Sequence, residues 1–198
     1  GVGAIFPGSH HAHQFWRHII SGKDLITIVP KSHWLLEDHY DSNPAAIDKT
    51  YCKRGAFIPD IPFDPLEFGI PPNTMVVIDN AQLLGLVVAK QVLVDTIGVQ
   101  YGNQDLSRVS VMIGTSALSS FKYVSARMQR PVWDKVLTEA GLDKPLIATL
   151  CDRIANYYQD WQENTFPGLL PNVVSGRIAN RFNLGGTNCT VDAACASS

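Results

Sequence analysis

The sequence is short of charge. Asp, Glu, Lys and Arg make up 17% of it against 45% hydrophobic residues, and the formal net charge is −2. No run of basic residues occurs, and Lys and Arg are scattered. Such a chain offers no electrostatic footprint for a phosphate backbone, which argues against a nucleic-acid binder. Cysteine is scarce too. Cys52, Cys151, Cys189 and Cys195 are far apart and none forms a CxxC pair, so neither a zinc knuckle nor a redox dithiol is indicated. At this size and density a disulfide framework is not expected, and a reducing cytoplasm is the default. There is no secretory apolar segment and no apolar run long enough to span a bilayer. Internal repeats and low-complexity stretches are absent. The chain opens Gly1-Val2-Gly3 without a methionine, and it reads as a fragment that enters one structural unit midway and ends inside another.

What is present alternates between extended and helical patterns, the mark of an α/β layered domain. Residues 1–5 read as the end of a core strand. Gly8-Ser9 opens a helix to about Ser21, with Phe15, Trp16, Ile19 and Ile20 on one face, and Gly22 stops it. Residues 25–29 form a short extended apolar run, and residues 30–64 are loop-rich, punctuated by Pro44, Pro59 and Pro62, with a brief strand at 55–58. The spacing predicts one long helix over 73–96, apolar nearly all round and therefore buried, ended by Gly98. A strand over 108–113 and a turn at Gly114-Thr115-Ser116 follow. Residues 118–162 read as two or three helices, with Pro131 and Pro145 in first turns and Gly141 between pieces. A loop over 167–171, a helix over 172–182 and a strand over 189–192 complete the pattern.

That last strand runs into Ala193-Ala194-Cys195-Ala196-Ser197-Ser198, a tight turn of small residues with a thiol at its apex. A bend exposes the sulfur, and a helix continuing beyond it would turn its positive end toward the thiol, favouring thiolate. Small neighbours allow close backbone packing, the device of a nucleophile elbow.

The string Val191-Asp192-Ala193-Ala194-Cys195-Ala196-Ser197-Ser198 resembles the active-site block of β-ketoacyl synthases, the condensing domains of fatty acid and polyketide synthases. Asn172-Val173-Val174-Ser175-Gly176-Arg177-Ile178-Ala179-Asn180-Arg181-Phe182 is similar to the helix before that block. Phe6-Pro7-Gly8, Phe15-Trp16 and Ser21-Gly22-Lys23-Asp24 resemble the first loop and helix, and Phe63-Asp64-Pro65-Leu66-Glu67-Phe68-Gly69-Ile70 also matches. The resemblance covers essentially the whole chain in the family's order. Where most modular condensing domains carry Asp-Pro-Gln-Gln, this chain has Asp79-Asn80-Ala81-Gln82. The runs 51–60 and 161–170 are similar to the iterative synthases that make polyunsaturated fatty acids or glycolipid acyl chains.

The resemblance implies the N-terminal half of a thiolase-like αβαβα fold, with residues 1–198 one portion of a single domain. It implies that Cys195 takes an acyl group from a carrier-protein thioester and then undergoes decarboxylative condensation with a malonyl unit. Sulfur suits both steps, being a strong nucleophile and a ready leaving group. The Cys195 N–H is a candidate oxyanion donor. The family's two histidines and lysine for decarboxylation follow the cysteine, whereas all six histidines here lie between His10 and His39. The isolated chain is therefore expected not to condense. Thr115, Ser116 and Ala117 are implied to border the acyl pocket, where a small Ala117 leaves room for a longer chain. No metal or nucleotide is implied. The phosphopantetheine arm belongs to the partner, an acyl carrier protein, and the intact enzyme is expected to be a homodimer. A non-decarboxylating thiolase, or a chain-length subunit without chemistry, shares the fold.

Other groupings have plainer readings. His10-His11-Ala12-His13 lacks an accompanying carboxylate or Cys cluster and reads as solvated helix-start residues rather than a metal site. Gly114-Thr115-Ser116-Ala117 lacks the Gly-Lys-Thr ending of a phosphate loop. Asp192 reads as a carboxylate that holds the turn, and Cys189, Cys52 and Cys151 as structural. Lys53-Arg54 and the set Lys122, Arg127, Arg130 are the basic groupings that could meet an acidic carrier, or simply a solvated face.

Overall fold

The computed structural model describes residues 1–115 and 126–197. It divides into two units, Gly1–Pro62 with Val88–Tyr101, and Phe63–Val87 with Gly102–Ser198. The long helix α3 (Asn80–Ile97) contributes to both.

In the first unit, α1 (Ala12–Ile20) starts after His11, whose extended backbone and Nδ1 cap the helix by accepting the Gln14 N–H at 3.3 Å. Gly22, at φ +61°, stops it, a left-handed position that an L side chain resists. Of the apolar face expected on this helix, only Phe15 is withdrawn from solvent, stacked on Phe6 at 3.9 Å; Trp16, Ile19 and Ile20 are exposed. The strands β1 (Thr27–Ile28) and β2 (Arg54–Gly55) pair antiparallel, Thr27 opposite Gly55. A single turn, α2 (Leu36–His39), sits in the loop-rich stretch between them. The strand expected over residues 1–5 does not form. Its donors go to α3 side chains instead: Val2 N–H to Asp95 Oδ2 and Ala4 N–H to Gln91 Oε1, both at 2.9 Å.

In the second unit, the long helix expected over 73–96 is broken. A 3₁₀ segment, Pro72–Val77, ends before Asp79, and α3 begins beyond it. Asp79 causes the break: its N–H donates to Gly168 O at 2.9 Å, and its Oδ1 accepts the Ala81 N–H at 2.8 Å, capping a fresh helix start. Buried all round is also too strong a description of α3. Gln82, Leu86 and Leu93 are buried, while most of its other positions are half-buried and both ends are exposed.

The strand β3 (Val111–Gly114) is shorter than expected and includes Gly114, which the sequence reading gave to the turn. The helix α4 (Arg130–Glu139) carries Pro131 in its first turn, and Gly141 at φ +81° follows it. In α5 (Lys144–Ala155), Asp143 Oδ1 accepts the Leu146 N–H at 2.9 Å and Pro145 sits in the first turn. Helix does not continue to 162 because Arg127 gathers the chain beyond α5, donating from Nη1 to Tyr158 O at 3.2 Å, Gln159 O at 3.3 Å and Asp160 Oδ1 at 2.9 Å. The expected loop over 167–171 is partly helical, α6 (Thr165–Leu169), followed by α7 (Val173–Arg181) and β4 (Asn188–Val191). A side chain at Gly168 would meet Val77 O at 2.1 Å, so this turn lies against the 3₁₀ segment only because the residue is glycine.

β3 and β4 pair parallel, with Val111 opposite Asn188 and Gly114 opposite Val191. The core of this unit holds Leu86 of α3, Ile147 and Cys151 of α5, and Val174 and Ile178 of α7, each at most 4% exposed. Burial of each Leu or Ile here contributes about 1.5–3 kcal/mol. Among the described residues, no helix is long and apolar enough to cross a membrane.

Candidate active site

The candidate site is built on β4 and the turn that leaves it. The buried helix α7 fixes the strand: Ser175, 1% exposed, has its Oγ 3.1 Å from Thr190 Oγ1 and donates to Asn172 O at 3.1 Å. On the other side, β3 holds β4 through the parallel ladder, which Thr115 N–H extends by donating to Val191 O at 3.0 Å. β4 therefore delivers its C-terminal end to a defined place, and the chain bends there.

The bend is held by its own polar groups. Asp192 Oδ1 accepts the Ala194 N–H at 3.0 Å, which is the structural part the sequence reading gave this carboxylate. Ser197 Oγ accepts the Ala193 N–H at 2.7 Å. The Ala196 N–H donates to Ala193 O and the Ser197 N–H to Ala194 O, both at 3.1 Å, closing a single 3₁₀ turn over Ala194–Ala196. Ala194 has φ +50°, in the left-handed region, which costs a residue with a Cβ about 1–2 kcal/mol. The sharp corner thus falls one residue before the cysteine. Cys195 follows it and is exposed. Its N–H meets no acceptor among the described residues, while those of Ala193, Ala194, Ala196 and Ser197 are all engaged. An accessible sulfur and an unengaged N–H on the same residue can attack a carbonyl carbon and receive the oxygen that becomes negative.

The other sequence candidates separate from this site or join it as follows. Thr115 is half-buried and touches β4 through its backbone. Ser116, Ala117 and Lys122 lie outside the described residues. Cys189 is half-buried within β4, Cys151 is buried in α5 and Cys52 is exposed on a loop of the first unit; all four thiols are free. His11 serves as the α1 cap, with its ring 6.4 Å from that of His13, and among the described residues no group of three or more His, Cys, Asp or Glu could hold a metal. The arginines of the basic groupings already meet carboxylates: Arg54 with Asp24 at 3.7 Å, Arg127 with Asp160 at 2.9 Å and Arg130 with Asp152 at 2.7 Å. That pairing lowers their value as docking points for an acidic partner.

Sequence reasoning placed Ser197 in the active-site block but gave its hydroxyl no role, and it did not bring Gly114 against the cysteine turn. A Cβ on Gly114 would stand 1.8 Å from Ser197 O, so β3 backs directly onto the cysteine turn. A glycine closing a strand was the available signal. The reading also assigned nothing to Gln82, although an amide in an otherwise apolar helix marks a buried polar contact.

Known proteins resemble this chain along its whole length. The profile for the Beta-ketoacyl synthase, N-terminal domain, matches residues 1–198. One polypeptide of the polyunsaturated fatty acid synthase of Thraustochytrium sp. is 34% identical over 200 residues, covering 100% of this chain and 7% of that protein. A PKS-NRPS hybrid synthetase of Aspergillus niger is 32% identical over 196 residues, covering 97% of this chain and 9% of that protein. The chain thus spans less than a tenth of these curated relatives. Among solved structures, the oxazolomycin ketosynthase domain of Streptomyces albus JA3453 superposes with a TM-score of 0.69 at 23% identity, over 98% of this chain and 28% of that one. The module 6 ketosynthase of the Bacillus subtilis 168 bacillaene synthase gives 0.60 at 21% identity, over 100% and 26%. These likenesses give the thiolase-like α/β fold expected from the sequence. The chain belongs to the Beta-ketoacyl synthase, N-terminal domain family.

Proposed function

We propose that this chain carries the nucleophile of a 3-oxoacyl-[acyl-carrier-protein] synthase within a larger fatty acid or polyketide synthase, with residues 1–198 as the N-terminal portion of its condensing domain. The observation that carries the reading is the exposed Cys195, whose N–H meets no acceptor among the described residues while those of Ala193, Ala194, Ala196 and Ser197 are engaged. In the first step Cys195 Sγ attacks the carbonyl carbon of an acyl thioester borne by the carrier's phosphopantetheine arm. The oxyanion forms beside the Cys195 N–H and collapses, the carrier's C–S bond breaks, and the acyl group stays on Cys195 while the carrier leaves as its thiol. In the second, a malonyl thioester loses CO2 and its carbanion attacks the acyl carbonyl, forming a C–C bond and expelling the Cys195 sulfur. The groups that the resemblance assigns to decarboxylation follow the cysteine, so the reaction is assigned to the complete synthase.

The partners in this reading are an acyl carrier protein and, in the intact enzyme, a second copy of the domain. A reducing, cytoplasmic setting goes with it, and the four free thiols support that setting.

The test is to incubate the complete synthase with a radiolabelled acyl carrier protein, digest it and map the label. The expected result is one acylated peptide containing Cys195, released by a thiol. Label on another residue, or no covalent label with a turning-over enzyme, overturns the reading. Residues 115–117, which follow β3 in the chain, are proposed to border the acyl pocket. Ala117→Phe in the complete enzyme is expected to shift products to shorter chains by chromatography, and an unchanged length distribution removes these residues from the pocket.

A further inference from the structure

We infer that Ser197 is a positioning residue for acyl transfer, an inference that rests on Cys195 being the nucleophile. The turn must solve a mechanical problem. Ala194 sits in the left-handed region at φ +50°, and a residue with a Cβ stays there only where its surroundings hold it. Ser197 supplies two of the four hydrogen bonds of the turn, and another runs between backbone groups, from the Ala196 N–H to Ala193 O at 3.1 Å. The Ser197 Oγ accepts the Ala193 N–H at 2.7 Å, and its own N–H donates to Ala194 O at 3.1 Å. The fourth, from the Ala194 N–H to Asp192 Oδ1, holds only the near side of the corner.

Ser197 is itself held from behind. Its carbonyl oxygen lies 1.8 Å from where a Gly114 Cβ would be, so the last residue of β3 leaves it almost no room to retreat. Gly114 is in register with Val191, the last residue of β4, so the wall behind Ser197 and the strand that delivers the turn belong to one parallel ladder. The cysteine is therefore clamped at both ends, by β4 before it and by Ser197 after it.

The hydroxyl also decides which donor is left over. By taking the Ala193 N–H, it removes a competing donor two residues away and leaves the Cys195 N–H as the donor of this turn without an acceptor among the described residues. Without the hydroxyl, the Ala193 N–H is released and the far side of the corner keeps only its two backbone hydrogen bonds. The sulfur stays exposed, but its direction relative to the Cys195 N–H is no longer fixed. A step that needs attack and oxyanion capture in one geometry is slowed by a misplacement of about 1 Å, whereas a small alkylating agent needs only exposure.

The experiment compares wild type, Ser197→Ala and Ser197→Thr in the complete synthase. It follows single-turnover acyl transfer from an acyl carrier protein and, separately, iodoacetamide modification of Cys195. Ser197→Ala is expected to lower the maximal acylation rate about ten- to a hundredfold. The half-saturating carrier concentration is expected to stay unchanged, alkylation to stay within about twofold of wild type, and Ser197→Thr to restore most of the acylation. Acylation by Ser197→Ala at the wild-type rate overturns the inference and leaves Cys195 as nucleophile untouched. Alkylation falling in parallel with acylation also overturns it, because the serine would then only keep the turn folded. If wild type forms no acyl adduct at Cys195, the nucleophile reading itself falls, and the inference with it.

Discussion

Cys195→Ala in the complete synthase is expected to abolish the acyl-enzyme and to lower condensation by about 10³-fold or more. The size of the effect follows from the two parts that the proposed function gives the side chain. On that reading it forms the new bond in acyl transfer and accepts the electron pair back when the carbanion attacks, and a methyl group can do neither. Cys195→Ser separates the two roles. An oxygen can occupy the same exposed position, but it is a weaker nucleophile and a poorer leaving group, so an acyl-serine that accumulates without onward condensation is the expected intermediate behaviour. Cys189→Ala is the control. That thiol lies earlier in the chain, half-buried in β4, and its loss is expected to leave acylation within a few-fold of wild type. The measurement is mass spectrometry of the intact protein after incubation with acyl carrier protein, with product formation followed in parallel. Wild-type condensation by Cys195→Ala would remove the cysteine from the mechanism.

What the sequence made legible was the set of features fixed by local chemistry. Gly22, Gly98 and Gly141 end helices because a positive φ is a property of the single residue, and all three have it, at +61°, +86° and +81°. Pro131 and Pro145 stand in first helical turns for the same kind of reason. The strand before Cys195 and the carboxylate of Asp192 in the turn were readable because a strand run into small residues has few other outcomes. The features that escaped are set by distant partners. Ile78 and Asp79 lie within an apolar stretch that reads as continuous helix, and the Gly168 carbonyl, far along the chain, joins the Asp79 cap in making the break favourable. Residues 1–5 carry a strand-like pattern, yet their donors are taken by Asp95 and Gln91 of α3. In the site, the roles of Ser197 and Gly114 come from a meeting of β3 with the cysteine turn, which no spacing along the chain announces.

The second large effect is expected at Gln82, whose side chain is 1% exposed. Its Nε2 donates to Pro167 O and Gly168 O at 2.9 Å and to Leu170 O at 3.1 Å, while its Oε1 accepts Arg177 Nε at 2.5 Å. One amide therefore ties α3 to α6, to the residues leading into α7, and to α7 itself. Burial lowers the pKa of Arg177 from the ordinary guanidinium value, which leaves it charged and makes its partner matter more. Gln82→Leu preserves bulk but strands the Pro167 carbonyl and a half-buried cation, and takes one of two donors from the Gly168 and Leu170 carbonyls, which keep the Asp79 and Val173 N–H groups. Each unsatisfied buried group costs about 1–3 kcal/mol, so a loss of about 3–4 kcal/mol is expected even with partial relaxation toward water. Gln82→Glu is expected to do no better, because a carboxylate pairs with Arg177 but repels the carbonyls that the amide had bound. The double variant Gln82→Leu with Arg177→Met is expected to be less damaged than Gln82→Leu alone, since it removes the stranded charge along with its partner. Hydrogen exchange in the complete enzyme measures this directly: amide protection in peptides spanning 77–86 and 165–181 is expected to fall about a hundredfold in Gln82→Leu, and unchanged protection would mean the carbonyls find water at no cost. The loss should also reach the nucleophile, because α7 carries Ser175, and the Ser175 hydroxyl holds Thr190 on the strand that delivers Cys195. Slower acylation with an intact, exposed thiol would be the sign that the buried amide acts on the chemistry through that helix.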